Sequence, residues 1–334
     1  MMLVRLLSLV ASLLGVSPLM AQTSPPEAPS LPAWFSQSFL DFREDVAEAA
    51  RDKRQVMIYF GQDGCPYCKE LLTTNFSRPE IVDKTRANFQ VVALDIWGDR
   101  PVTWVDGTVQ TEKVLARRLG VQFTPTILFL DRQGKVSQRL NGYFPPPRFS
   151  AALDYVIKGP DPRQPLATYL ATAVREQASA DLNPEPFFLK PPYRLDRNGG
   201  KPLAVLWETR YCGPCDEMHR EGFSRQEMKA LLARFDVVRL ALGERSDIVT
   251  PAGEVTTAEK WAKQLGIAYT PSVVFFDQGR EVFRIEAYLR PFHLATSFAY
   301  VADRAYRTEP EFQRYLQGRA DLLRARGQDV DIWK

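Results

Sequence analysis

Histidine is scarce in this chain, in which only two of the 334 residues are histidine. That scarcity argues against a histidine-ligated metal enzyme and against a serine–histidine hydrolase. Excess charge is lacking too, because 43 basic and 40 acidic residues leave a net charge of +3. Without a strongly basic balance there is no electrostatic reason to expect binding to nucleic acid. The length and the 45% hydrophobic content fit a globular protein of two ordinary domains.

Long apolar segments are also missing, apart from one at the start of the chain. There Arg5 precedes the short apolar stretch Leu6–Val16, and Ala21 stands just before polar residues. This pattern is typical of a secretory signal peptide, with a buried amphipathic helix as the alternative. The apolar core is too short to remain as a membrane span, and no cysteine stands at the expected cut for lipid attachment. We therefore expect a soluble protein exported to the periplasm.

The rest of the sequence consists of two copies of one repeated unit. Phe235–Leu242 repeats Phe89–Ile96 at an offset of 146 residues, and Thr270-Pro271 repeats Thr124-Pro125 at the same offset. Proline-rich stretches mark the joints between the units. The expected organisation is a signal peptide at 1–21, a proline-rich linker at 22–35, a first domain at 36–159, an appended helix and proline-rich linker at 160–190, a second domain at 191–305 and a C-terminal helical extension at 306–334.

Both units have the same expected order of elements, β-α-β-α-β-β-α. Short apolar runs at Val56–Phe60 and Leu203–Trp207 predict first strands buried on both faces. Further strands are expected at 89–96, 126–130 and 135–140 in the first unit and at 235–242, 272–276 and 280–285 in the second, with helices at 111–119, 257–265, 147–157 and 292–304. The order predicts an α/β fold in which each unit has a mixed central sheet with helices on both faces.

All four cysteines fall in two pairs, Cys65-Pro-Tyr-Cys68 and Cys212-Gly-Pro-Cys215. Each pair lies between a first strand and the start of a helix, where unpaired N–H groups and a partial positive charge stabilise a thiolate. We expect Cys65 and Cys212 to attack disulfides and Cys68 and Cys215 to resolve the mixed disulfide. This chemistry requires no metal and no bound cofactor.

Three other uses of the cysteine pairs are less consistent with the sequence. A structural disulfide that closes so short a loop stabilises the fold by about 2 kcal/mol, against about 4 kcal/mol for a loop of roughly 60 residues. A zinc site would have to join two pairs that belong to separate repeats. Haem attachment needs histidine directly after the second cysteine, where this chain has Lys69 and Asp216.

The Cys-x-x-Cys pairs, the Thr-Pro segments at matched spacing and the element order resemble the thioredoxin superfamily. Phe60–Lys69, Asp95–Arg100 and Asn141–Phe144 look like the corresponding segments of SoxW-type periplasmic thioredoxins. The resemblance implies cis prolines at 125 and 271 beside the cysteines, and electrons supplied by a membrane thiol transporter of the CcdA or DsbD type. It also implies a client-binding groove, for which the expected residues are Pro66, Tyr67, Gly213, Pro214, Thr124, Pro125, Thr270 and Pro271.

The sequence departs from that family at one position behind each pair. Thioredoxins carry a buried aspartate six residues before the first cysteine, and Tyr59 and Leu206 stand there in this chain. Glu208 is a possible partial substitute, with an exposed loop position as the alternative. His219, one turn beyond Cys215, is expected at a solvated helix position, with contact with the thiols as the alternative.

Each unit carries extra residues between the second strand and the following helix. In the first unit, Asp106-Gly107 is flanked by alternating residues, which predicts a β-hairpin. We expect this hairpin to border the active site, with Trp97 or Trp104 in contact with client proteins; a hairpin that only covers its own domain is the alternative.

The sequence therefore predicts, as the first interpretation, a periplasmic thiol–disulfide oxidoreductase that reduces protein disulfides. A Dsb-like oxidase or disulfide isomerase is the second interpretation. A redox-linked chaperone or scaffold that binds clients without turnover is an interpretation from another class.

Overall fold

The computed structural model describes residues 30–174, 178–196, 200–330 and 332. The predicted signal peptide at 1–21 and the first part of the predicted linker at 22–35 lie outside the described residues. The helices are α1 (Phe42–Arg51), α2 (Pro66–Glu70), α3 (Pro79–Asn88), α4 (Glu112–Arg118), α5 (Pro146–Lys158), α6 (Leu166–Ala173), α7 (Gly213–Glu217), α8 (Gln226–Leu232), α9 (Ala258–Gln264), α10 (Pro291–Ala302) and α11 (Phe312–Ala325). The strands are β1 (Gln55–Gly61), β2 (Phe89–Asp95), β3 (Pro101–Thr103), β4 (Val109–Thr111), β5 (Thr126–Leu130), β6 (Val136–Asn141), β7 (Tyr193–Arg194), β8 (Leu203–Glu208), β9 (Asp236–Ala241), β10 (Asp247–Val249), β11 (Val255–Thr257), β12 (Ser272–Asp277) and β13 (Arg280–Ile285).

Each unit is built on a four-stranded sheet, and the two sheets have the same strand order. The order is β2-β1-β5-β6 in the first unit and β9-β8-β12-β13 in the second. Strand β1 is parallel to the edge strand β2, whereas β5 runs antiparallel to β1 and to β6. The predicted mixed sheet and the predicted tandem arrangement are confirmed.

Helices cover both faces of each sheet because successive residues of a buried strand point to opposite sides. In β1, Met57 packs in the core that contains Phe149 of α5, and Ile58 packs in the opposite core with Phe42 of α1. The second unit repeats this division, with Leu206 on one side and Trp207 on the other. The predicted two-sided helical cover is therefore confirmed.

Some elements are not among those expected from the sequence. Helix α1 begins after Asp41, whose side chain accepts a hydrogen bond from the N–H of Arg43 as an N-cap. The helical stretch after the first cysteine pair divides in two: α2 continues as a π-helical segment, Leu71–Asn75, and α3 starts anew with Pro79 at its first position. The helices of the described residues include none that is both long and apolar enough to cross a membrane.

The two units pack against each other through equivalent segments. Asn141 and Glu286 occupy the same position, at the end of the fourth strand of each unit, and the Asn141 amide donates to the Glu286 carboxylate at 2.7 Å. Next to them, a Cβ on Gly142 would lie 2.9 Å from the Cβ of Ala287, so glycine is needed for this approach. The units are thus related by an approximate two-fold axis that passes through these loops.

Equivalent aromatic residues also cross the interface in both directions. Phe123, two residues before Pro125, lies 5.8 Å from Phe283 and 5.2 Å from Phe312, ring centre to ring centre, in the core of the second unit. Tyr269, its counterpart, packs 4.9 Å from Phe144 in the core of the first unit. The segments just before the Thr-Pro sequences therefore hold the units together.

Candidate redox sites

Each cysteine pair forms a disulfide at the start of a helix. Cys65 is the N-cap of α2, and its Sγ accepts a hydrogen bond from the N–H of Cys68 at 3.1 Å. Cys212 caps α7 in the same way, with its Sγ 3.2 Å from the N–H of Cys215. The bonds Cys65–Cys68 and Cys212–Cys215 span Cα–Cα distances of 5.2 Å. A backbone N–H that already points at the first sulfur of each pair would stabilise that sulfur as a thiolate.

Of the two Thr-Pro segments, the first contacts its cysteine pair directly. The Thr124–Pro125 and Thr270–Pro271 bonds are cis, and β5 and β12 begin at the next residue. Thr124 Oγ1 donates to Cys65 Sγ at 3.2 Å. In the second unit Thr270 shares a hydrogen bond of 3.1 Å with Thr209, three residues before Cys212. A third cis bond, Pro191–Pro192, was not expected from the sequence.

The surroundings of the two pairs differ. Gly213 and Pro214 are partly exposed and Tyr211 is 55% exposed. In the first pair Pro66 is partly exposed, but Tyr67 is buried and faces the second unit. The Tyr67 hydroxyl accepts a hydrogen bond from the Arg290 N–H at 2.9 Å.

Further contacts with the second unit surround the first pair. The ring of Tyr67 lies 5.3 Å from the ring of His293, and Glu70 pairs with Arg290 at 3.1 Å. Gln62 donates to Gln313 of α11 at 3.1 Å. The expected open groove at Tyr67 is therefore filled by residues of the second unit. Sequence reasoning missed these residues because the arrangement of the two units is not encoded in local patterns.

The hairpin of the first unit has the form that its sequence predicts. Strands β3 and β4 pair antiparallel on either side of Asp106-Gly107. However, the expectation that Trp104 contacts clients is wrong, because its side chain is 6% exposed and packs 5.3 Å from Phe42. Here the hairpin covers its own domain. Trp97, at the root of the loop, is partly exposed and its Nε1 donates to Gln62 at 2.7 Å.

Behind the second pair lies a buried cluster of ionisable side chains. Glu208 is fully buried at the end of β8, and its Oε1 is 2.9 Å from Nε2 of His219. Nδ1 of His219 is 2.8 Å from Oε1 of Glu185, a residue of the linker between the units. The expected solvated position of His219 and the exposed position considered for Glu208 are both wrong. The alternation of strand residues was the available signal, because it places Glu208 on the same face as the core residue Leu206.

The charge of His219 depends on its two carboxylate neighbours. Burial alone would lower its pKa, but the hydrogen bonds and negative charges of Glu208 and Glu185 outweigh burial, and the pKa is raised above its usual value. Sequence reasoning missed Glu185 altogether, since it lies in a proline-rich segment far from Cys212.

Comparison with known proteins extends these observations. A family model described as "Thioredoxin-like domain" matches residues 42–157 and again residues 195–302. The thiol:disulfide interchange protein DsbD of Photorhabdus laumondii is 29% identical over 132 residues. That match covers 37% of this chain and 21% of DsbD, so only about a fifth of the relative has a counterpart here.

Solved structures are similar to single units of the chain. A thioredoxin from Thermus thermophilus is 33% identical, with a TM-score of 0.28, and the match covers 34% of this chain and 81% of that one. A thioredoxin-fold protein from Helicobacter pylori is 27% identical, with a TM-score of 0.27, over 35% and 80% of the two chains. The periplasmic thioredoxin SoxS from Paracoccus pantotrophus is 23% identical, with a TM-score of 0.24, over 31% and 97%. Since the family model matches more than half of its residues, the chain belongs to the thioredoxin-like domain family and contains that domain twice.

Proposed function

We propose that this protein is a thiol–disulfide oxidoreductase whose two cysteine pairs exchange disulfides with client proteins. The observation that carries the proposal is the placement of Cys65 and Cys212 at helix N-termini, each with a backbone N–H aimed at its sulfur. In the reduced protein the first cysteine attacks a client disulfide as a thiolate, and one client thiolate leaves. The second cysteine, Cys68 or Cys215, then attacks the mixed disulfide. The client departs with both sulfurs reduced, and the enzyme pair is oxidised.

The direction we propose is reduction in the periplasm, with electrons from a membrane thiol transporter of the CcdA or DsbD type. The similarity to DsbD, a thiol:disulfide interchange protein, supports a partner from this redox system. The Gly-Pro dipeptide of the second pair matches that of reducing thioredoxins, and the signal-peptide pattern favours export. An oxidase or isomerase of the Dsb kind is the second candidate, because two redox pairs on one chain also suit disulfide isomerisation. A scaffold that binds clients without turnover would need neither pair to be reduced.

We further propose that clients react first at Cys212. The exposed Tyr211 and the partly exposed Gly213 and Pro214 support this assignment. Tyr67 of the first pair is instead buried against Arg290 and His293. Thr124, Pro125, Thr270 and Pro271 are proposed to shape the two client grooves, with Trp97 at the border of the first.

Insulin reduction by chains with Cys65→Ser, Cys212→Ser or both substitutions tests the proposal. Cys212→Ser is expected to abolish most of the activity and the double variant all of it, whereas Thr73→Ser, at an exposed position of the helical segment that follows Cys68, leaves the rate unchanged. Both reduction potentials are measured alongside. Reduction potentials near −270 mV, the value typical of thioredoxin, support a reductase. Potentials near −120 mV, typical of DsbA, would indicate an oxidase instead. Full activity in the double variant would overturn the proposal.

A further inference from the structure

Three ionisable side chains form a continuous row from the surface of the second unit into its core. Glu185 Oε1 is 2.8 Å from His219 Nδ1, and His219 Nε2 is 2.9 Å from Glu208 Oε1. The exposure of the side chains falls along the row, from 22% for Glu185 to 6% for His219 and 1% for Glu208. Each step is within hydrogen-bond distance, so a proton can pass along the row without water entering the core.

The inner end of the row contains a polar atom without a hydrogen-bond partner. Glu208 Oε2 is buried and has no hydrogen-bond partner among the described residues. A buried carboxylate oxygen without a partner loses its hydration and gains nothing in return, which is unfavourable. A buried polar atom without a partner in a native structure calls for an explanation, and a catalytic role is one.

Cys215 is the reacting group nearest to this row along the helix. Helix α7 runs directly into the π-helical segment Met218–Phe223, and His219 follows Cys215 by four residues. Side chains with this spacing lie on the same face of a helix, one turn apart. Cys215 is 1% exposed. Bulk water therefore cannot take the proton that a Cys215 thiol must lose before it attacks the mixed disulfide.

We infer that Glu208 and His219 accept the proton of the Cys215 thiol and that Glu185 exchanges this proton with solvent. The inference rests on the proposed oxidoreductase function of the second pair. In the resolving step the Cys215 S–H bond breaks and its proton passes to the Glu208–His219 pair. The Cys215 thiolate then forms a bond to Cys212 Sγ as the bond between Cys212 and the client breaks. The client sulfur leaves as a thiolate and takes a proton from solvent, while one proton leaves the row at Glu185.

The first unit supplies an internal contrast. The residues equivalent to Glu208 and His219, at the same distances from the cysteines, are Gly61 and Leu72. Gly61 has no side chain, and Leu72 is buried in the apolar core of the first unit. Proton acceptance of this kind therefore belongs to the second pair alone, and the two pairs respond differently to pH.

The groups that face His219 from its surroundings are consistent with this role. Glu208 comes from β8 and Glu185 from the linker, while the rings of Phe188 and Phe223 lie 6.0 Å and 4.9 Å from the imidazole. The aromatic rings exclude water, and the carboxylates raise the pKa of His219. A histidine with a raised pKa holds its proton near neutral pH and can pass it between the two carboxylates.

The test isolates the second pair by Cys65→Ser and Cys68→Ser and follows the reaction of the reduced protein with Ellman's reagent. The first thionitrobenzoate released reports attack by Cys212, and the second reports resolution by Cys215. Glu208→Gln is expected to slow the second release about 100-fold at neutral pH, as for loss of a general base, and to leave the first release unchanged. The second release in this variant is expected to rise about tenfold per pH unit, because the thiol must then ionise unaided. In the parent chain it stays nearly flat near neutrality.

Glu185→Gln, in the partly exposed linker, keeps the inference testable if Glu208→Gln does not fold. It is expected to slow only the second release, whereas Asp181→Asn, on the same linker, changes neither phase. An unchanged second release in a folded Glu208→Gln or Glu185→Gln chain, at all pH values, would overturn the inference. Ellman's reagent needs no client protein. Failure of insulin reduction would therefore count against the proposed function without deciding the role of this row.

Discussion

The side-chain amide of Asn141 donates to the carboxylate of Glu286 at 2.7 Å, although the two residues occupy the same position in the two repeats. In an isologous interface, equivalent positions meet each other at the two-fold axis. The two units therefore pair as the subunits of a symmetric dimer would, within a single chain.

Asn141→Asp should weaken the pairing of the units. The change sets a second carboxylate against partly buried Glu286, and opposed like charges at an interface cost several kcal/mol. We expect a loss of about 1–3 kcal/mol in the free energy of unfolding by urea. Glu286→Gln in the same chain should restore most of it, and Gln133→Glu, in an exposed turn, should have no effect. A double variant no more stable than Asn141→Asp alone would show that the two side chains do not interact.

Cys65 should be alkylated more slowly than Cys212 in the fully reduced protein. Iodoacetamide labelling followed by mass spectrometry of the two peptides measures both rates. Arg290→Ala removes the ion pair with Glu70, and the loss of about 1 kcal/mol of interface energy should speed labelling of Cys65 about fivefold. Arg280→Ala, at an exposed position at the start of β13 in the same unit, should not. Equal rates for the two cysteines in the unaltered chain would contradict the observed cover of the first pair.

Acid should destabilise the packing around His293. Burial, with the nearby Arg290 charge, lowers the pKa of His293 to about 4. Between this value and the usual 6.5 the unfolded chain binds more protons than the folded one. Stability from the neutral imidazole is therefore present above about pH 6.5 and is lost as the pH falls toward 4. His293→Gln should flatten this part of the curve of unfolding free energy against pH, and an unchanged slope would speak against the buried neutral state.

His219 should respond in the opposite sense. Since its pKa is raised in the folded chain, its contribution is full below pH 6.5 and is lost as the pH rises through the raised pKa. His219→Gln should remove this alkaline loss and leave the acid loss of His293 in place. Urea titrations at several pH values measure this contribution. If the unfolding free energy of His219→Gln still falls with rising pH, the loss belongs to another group.

Trp104→Ala should reduce stability and not client selection. The side chain is buried against Phe42, and removal of a buried aromatic side chain costs about 3–5 kcal/mol. Val109→Ala, on the same hairpin but 66% exposed, should change the unfolding midpoint little. A fully stable Trp104→Ala chain that turns over insulin more slowly would restore a client-binding role for this hairpin.

The sequence was sufficient to predict the order of the main strands along the chain because the buried strands are short apolar runs bounded by turn residues. The cysteine pairs could be found because each is a local motif. The Thr-Pro segments could be found because they recur at matched spacing in the two units. What surrounds them was not predictable in this way. Tyr67 belongs to the first pair by sequence, yet its partners Arg290 and His293 lie more than 200 residues away. His219 was misjudged because a polar residue in a helix is usually solvated, and its partner Glu185 comes from outside the domain.

The close approach of Gly142 to Ala287 determines which unit can pair with which. Two copies of the second unit would place alanine methyl groups against each other and two Glu286 carboxylates side by side. Two copies of the first unit would lack a charged acceptor for the Asn141 amide. Only the mixed pair combines a glycine with an alanine and an amide with a carboxylate. The duplicated halves have thus diverged so that each is the better partner of the other, which favours the pairing of unlike units over the pairing of like units.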